Sequence, residues 1–71
     1  MKTTIYLFEN RVESITYIGS FHKYTSGFFT KEGEEELMNG EKAFVMQSIE
    51  TKDCVLISKN EVSKAILFER K

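Results

Sequence analysis

The chain has 71 residues and a formal net charge of −1, from ten Lys and Arg against eleven Asp and Glu; 41% of it is hydrophobic and 30% charged. That length supports one small core, near the limit at which a domain stands without disulfides or metals, and the composition excludes wholesale disorder. The near-neutral balance excludes a broad electrostatic field for nucleic acid or an anionic membrane, and the single cysteine, Cys54, excludes an internal disulfide.

Thr3 to Phe8 is β-branched and aromatic, with Ile5 and Leu7 on one side and Tyr6 and Phe8 on the other, and reads as a strand. Lys2 is the lone charge before it and Glu9 and Arg11 follow at once, so neither a signal-peptide core nor a membrane span is expected. Glu9, Asn10 and Arg11 read as a hairpin turn. Val12 to Phe21 follows as a second strand, in which Gly19 marks either a bulge that curls the strand or its end.

In Phe21 to Thr30 the pair Ser26 and Gly27 reads as a tight turn before a short strand at Phe28 to Thr30. Glu34 to Asn39 reads as one or two helical turns: three acidic residues suit a helix N-terminus, and Asn39 with Gly40 supplies a left-handed stop. Three strands then follow at Ala43 to Glu50, Cys54 to Ser58 and Lys64 to Glu69. Thr51 to Asp53 forms a hairpin loop, and Lys59 to Ser63 a 3₁₀ turn.

These last strands are apolar on both faces. Side chains alternate across a strand, so Phe44, Met46, Val55 and Ile57 share one face, while Ala43, Val45, Ile49, Cys54 and Leu56 share the other. A chain this small buries one face itself, and the second asks for a partner, most simply another copy. Cys54, inside an apolar run, reads as a small buried hydrophobe in a reducing cytoplasm. The expected fold is all-β, a small, strongly bent SH3/Sm-like barrel of five to six strands with one short helical turn, forming a single domain over residues 1–71. Two packed sheets need a longer chain.

The stretch ELMNGEKAFVMQSI, with Leu37, Met38, Asn39 and Phe44 in a Leu-hydrophobe-Asn turn followed by a Phe-led strand, resembles small bacterial Sm-like proteins. The paired segments VLIS and SKAILFE, with Val62 in the connection and Ile66 opening the last strand, resemble the final strands of the same barrel. The resemblance covers the second half of the chain and implies Sm-like architecture and a habit of forming rings. The family's nucleotide-contacting residues, a polar pair in the first hairpin and a basic-glycine pair in the last turn, have no counterpart here, because the last turn is Lys59, Asn60 and Glu61.

Candidate chemistry is sparse. Glu32, Glu34, Glu35 and Glu36 lack the ligand spacing and glycine of a calcium loop and read as a solvated helix start rather than a metal site. His22 has no nucleophile or carboxylate companion, and no cofactor motif occurs, so no catalytic residue, metal or cofactor is expected. Tyr17, Phe21, Tyr24, Phe28 and Phe29, interleaved with Lys23 and Lys31, could stack on unpaired bases, with Lys23, Tyr24, Phe28 and Lys31 as the contacts; the rings are also what a small barrel needs to fill itself. The leading expectation is a non-enzymatic interaction module that joins copies of itself, or another protein, through Val45, Leu56, Ile66, Leu67 and Phe68. Single-stranded nucleic-acid binding and inhibition or regulation of a larger protein are the alternatives.

Overall fold

A computed structural model describes residues 2–16 and 19–70, the side chains of residues 16 and 19–24 excepted. The elements run β1 (Thr3–Thr16), β2 (Gly19–Glu36), β3 (Lys42–Ser48), β4 (Cys54–Ser58), α1 (Lys59–Val62) and β5 (Ile66–Arg70). The fold is all-β, with one antiparallel sheet in the order β2-β3-β4-β1-β5 and a further pairing of β2 with β1. That pairing closes a circuit, β1 to β2 to β3 to β4 and back to β1, with β5 attached outside it.

Strand β1 makes the closure possible by serving different partners along its length. Residues Ile5 to Leu7 pair with both β2 and β5, and Ser14 pairs with both β2 and β4, so β2 lines one edge of β1 on both sides of an interruption in the register. The other edge is divided, with β5 on Thr3 to Leu7 and β4 on Ser14 and Ile15. Between the two halves the register shifts: Phe8 lies opposite Gly27 and Val12 opposite Thr25, which leaves Glu9, Asn10 and Arg11 facing Ser26 alone. The expected Glu9–Arg11 turn is therefore a bulge inside β1, and the expected turn at Ser26 and Gly27 is its counterpart inside β2. Extra residues on one strand of a pair bend it and increase its twist. Gly27, with φ 115°, takes the backbone shape that side chains disfavour at this bend.

The expected strand from Val12 to Phe21 is divided between two strands. Thr16 pairs with Gly19, so Val12 to Thr16 ends β1 and Gly19 opens β2; Tyr17 and Ile18 lie outside the described residues. The expected helix at Glu34–Asn39 is also replaced. Glu34, Glu35 and Glu36 pair with Phe44, Ala43 and Lys42, and a three-residue loop, Met38 to Gly40, turns the chain. Gly40 N–H donates to the Leu37 carbonyl at 2.9 Å and Leu37 N–H to the Glu41 carbonyl at 2.7 Å, while Gly40 sits at φ 87°. A helix of one or two turns must offset its nucleation cost by capping and burial, as α1 does through Ser58 and Val62, whereas here the hairpin pairs the backbone of Glu34 to Glu36 with β3 and places Lys42 opposite Glu36. Asn39 and Gly40 stop the chain as expected, but they stop a strand.

The short helix is α1, where a 3₁₀ turn was expected. Ser58 caps it, its Oγ accepting from Glu61 N–H at 3.3 Å, and Val62 is buried. Ser63, Lys64 and Ala65 N–H donate back to the carbonyls of Lys59, Glu61 and Val62 at 3.0–3.1 Å, which holds these residues out of the sheet and starts β5 at Ile66 rather than Lys64. Strand β3 ends at Ser48 rather than Glu50, because Ser48 N–H donates to the Asp53 carbonyl and Lys52 N–H to the Ser48 carbonyl, both at 2.9 Å.

The core is Phe8, Val12, Phe29, Met46, Ile57 and Val62, with Tyr6, Phe44, Val55 and Ala65 packed around it. Phe8 and Phe29 meet edge to face at 5.6 Å between ring centres, a geometry favoured by the ring quadrupoles. Phe44, Met46, Val55 and Ile57 form the inner face of β3 and β4 as the alternation predicts. Cys54, expected to be buried, is exposed, because it begins β4 opposite Gln47 on the outer face, beside the loop.

Ile57→Ala removes a fully buried side chain and is expected to cost about 2–5 kcal/mol in urea unfolding. Gly27→Ala is expected to destabilise by about 1–2 kcal/mol because of its positive φ. Gly33→Ala, which enters open space without that conformation, is expected to stabilise by about 0.4–1 kcal/mol, so equal effects at the two glycines would contradict the bend. Cys54 is expected to react stoichiometrically with Ellman's reagent in the folded protein; protection until unfolding would contradict its exposure.

Candidate interaction surface

Residues directly opposite each other in a sheet project to the same side, so the register defines the outer face. One row runs Ile66, Leu7, Phe28, and the next runs Phe68, Ile5, Thr30, Gln47, Cys54. Ile49 extends the first row, since its N–H donates to the Phe28 carbonyl at 3.0 Å. The outer face of β5, β1 and β2 thus carries five apolar side chains side by side, and Ile49, just past β3, adds a sixth; Phe28 is 51%, Phe68 47% and Ile66 42% exposed. Between Ile5, Phe28, Ile49 and Phe68 lies an open depression of about 460 Å³, with Glu50 and Arg70 at its margin.

Strand β5 borders this face. It terminates the strand order, pairs among the described residues with β1 alone, and every one of its five residues is exposed. Leu67 lies opposite Tyr6 on the other side of the sheet and is 58% exposed, so β5 overhangs the core and presents apolar side chains on both faces. Lys2 and Glu69 approach at 3.8 Å near its end. At roughly 200 Å² for each fully exposed residue of this size, Ile66, Phe68 and Phe28 together leave on the order of 300 Å² of the outer face in water, the scale of patches that serve binding, and Leu67 adds exposed area on the other side of β5.

The expected interface residues divide between two places. Ile66, Leu67 and Phe68 lie together on β5, while Val45 and Leu56 face each other across β3 and β4, where both are half-buried. Ala43, in line with Val45, is fully buried, so the second face of β3 is partly covered within the chain. Ile49 joins the surface from the second apolar face that the alternation left for a partner, and Ile5 and Leu7 join it although they were not among the expected interface residues. The signal of Ile5 and Leu7 was present in Thr3 to Phe8, which is apolar on both alternating faces as the later strands are.

The candidate nucleic-acid contacts are placed differently. Phe28 is on the outer face, whereas Lys31 lies opposite Met46 on the inner side, with its ammonium 4.2 Å from the centre of the Phe44 ring and 3.4 Å from Glu34 Oε1. Phe29 is buried in the core. Tyr17 lies outside the described residues, as do the side chains of Phe21, His22, Lys23 and Tyr24.

The glutamate run is spread along β2 with successive residues on opposite faces, and among the described residues no group of three or more His, Cys, Asp or Glu could hold a metal ion. A second depression, of about 280 Å³, lies at the β1 bulge and carries charges of both signs, Glu9, Arg11, Glu61 and Lys64. Glu61 and Lys64 pair at 3.1 Å. Among the described residues no helix is long and apolar enough to cross a membrane. No protein-family model, curated protein or solved structure matches this chain.

Proposed function

We propose that this chain is a non-catalytic interaction module, a small SH3/Sm-like barrel that self-associates through its last strand. The observation that carries the reading is β5, five exposed residues with three apolar ones in succession on a strand that has only β1 beside it. The outward edge of such a strand is a row of N–H and C=O groups able to pair with another strand, and soluble proteins usually blunt it with charge, proline or a bulge. Ile66 to Phe68 carries none of these. The barrel assignment rests on the closed pairing circuit, the bent β1 and the single helical turn before the last strand.

Burial of apolar side chains and pairing of the strand's backbone edge do the binding. Ile66, Leu67 and Phe68 supply the contact, and the half-buried Val45 and Leu56 contribute less. An exposed apolar area of this size, with one short strand's hydrogen bonds, is at the small end of specific interfaces, so the assembly is reversible with a dissociation constant on the order of micromolar.

Sedimentation over a dilution series tests this. The wild type is expected to be associated at about 100 μM and to dissociate through the micromolar range. Leu67→Lys and Phe68→Lys are expected to be monomeric at every concentration with an unchanged circular-dichroism spectrum, since both sites are exposed. A wild-type monomer throughout the series overturns the proposal and leaves the regulator of a larger protein as the better reading. Retention of labelled single-stranded RNA that weakens steeply with salt would support nucleic-acid binding instead.

A further inference from the structure

We infer that two copies of this chain join β5 to β5 in antiparallel register about a two-fold axis at Phe68, continuing the sheet across the dimer. The inference rests on the self-association proposed above and names its occupant and geometry.

A two-fold axis normal to a sheet keeps each side chain on its own face, so residues i and j pair across it only if they point the same way. For β5 this permits axes at single residues. An axis at Phe68 places Ile66 opposite Arg70, Leu67 opposite Glu69 and Phe68 opposite itself, and all five residues of the strand are paired. An axis at Glu69 sets two glutamates directly opposite, which is unfavourable. An axis at Leu67 leaves Glu69 and Arg70 without strand residues opposite them, because α1 holds Lys64 and Ala65 out of the sheet, and it brings Arg70 towards Lys64 of the second copy.

The register at Phe68 also uses the side chains well. The two Phe68 rings meet on the outer face, and Arg70 of one copy lies diagonal to Phe68 of the other, within reach of a cation–π contact. Glu69, already within 3.8 Å of Lys2 in its own chain, lies beside Leu67 of the second copy with its charge partly balanced. No like charges lie directly opposite; the two Glu69 are diagonal neighbours, each beside its own Lys2. A strand whose residues complement themselves in this way identifies a second copy as the occupant in preference to an unrelated segment. Closed two-fold symmetry uses up both edges and stops at a dimer.

Cysteine cross-linking in the full-length chain carrying Cys54→Ser tests the register. Directly opposite residues have Cβ atoms close enough for a disulfide, and residues two positions out of register do not. Phe68→Cys is expected to give a covalent dimer on mild oxidation. Leu67→Cys and Glu69→Cys are each expected to remain monomeric on a denaturing gel when alone and to cross-link when mixed. The mixed pair retains Phe68, so a loss of dimer caused by Phe68→Cys itself does not obscure the answer. Homodimers at position 67 or 69, or a sedimenting dimer that cross-links at none of these positions, overturn the register while leaving self-association standing. A wild-type monomer overturns both.

Discussion

Backbone groups taken out of water must find partners, and in this chain one strand answers most of that demand. β1 pairs with β2 along one edge and offers its other edge first to β5 and then to β4. The division works because the strand bends at Glu9–Arg11 while Phe8 and Val12, on either side of the bend, both stay buried. α1 carries the chain from the stretch held by β4 to the stretch held by β5, and it adds Val62 to the core on the way. Without the bend, β4 and β5 could not share an edge and β2 could not reach both β1 and β3.

The same bend leaves one surface uncovered. The small core draws on one side of each strand, and the chain has too little length to lay a second layer over the other. On β3 and β4 this matters little, since Ala43 is enclosed and Val45 and Leu56 are half-buried. On β5 it matters most, because the strand lies outside the closed circuit with water on its far edge. Apolar residues kept in that place are costly to the isolated subunit and useful to an assembly, which links the economy of the fold to its proposed role.

The strands from Ala43 onward were legible because their alternation and polar punctuation are local signals, and the inner set of Phe44, Met46, Val55 and Ile57 follows from period two alone. Ile66, Leu67 and Phe68 were legible as surface residues from the same excess of apolar side chains. The turns were read less well. Glu9–Arg11, Ser26 with Gly27, and Glu34–Asn39 all carry turn or helix chemistry, yet the first two form a bulge facing its partner strand and the third lies largely in a hairpin. A polar or glycine-containing segment marks a departure from regular extension, and whether that departure reverses the chain or only bends it depends on what lies opposite.

By itself the sequence determined an all-β chain, the position of the inner face, and a surplus of apolar side chains that one subunit does not cover, because alternation and composition act within a few residues. Which edge carries that surplus was decided only by the tertiary structure. The pairing of β5 with the first half of β1, and of β4 with the second, joins residues far apart in the chain, from Ile15 and Leu56 to Thr3 and Arg70. No local pattern records such a choice; it follows from the bend in β1 and from the backbone hydrogen bonds that closure of the circuit satisfies.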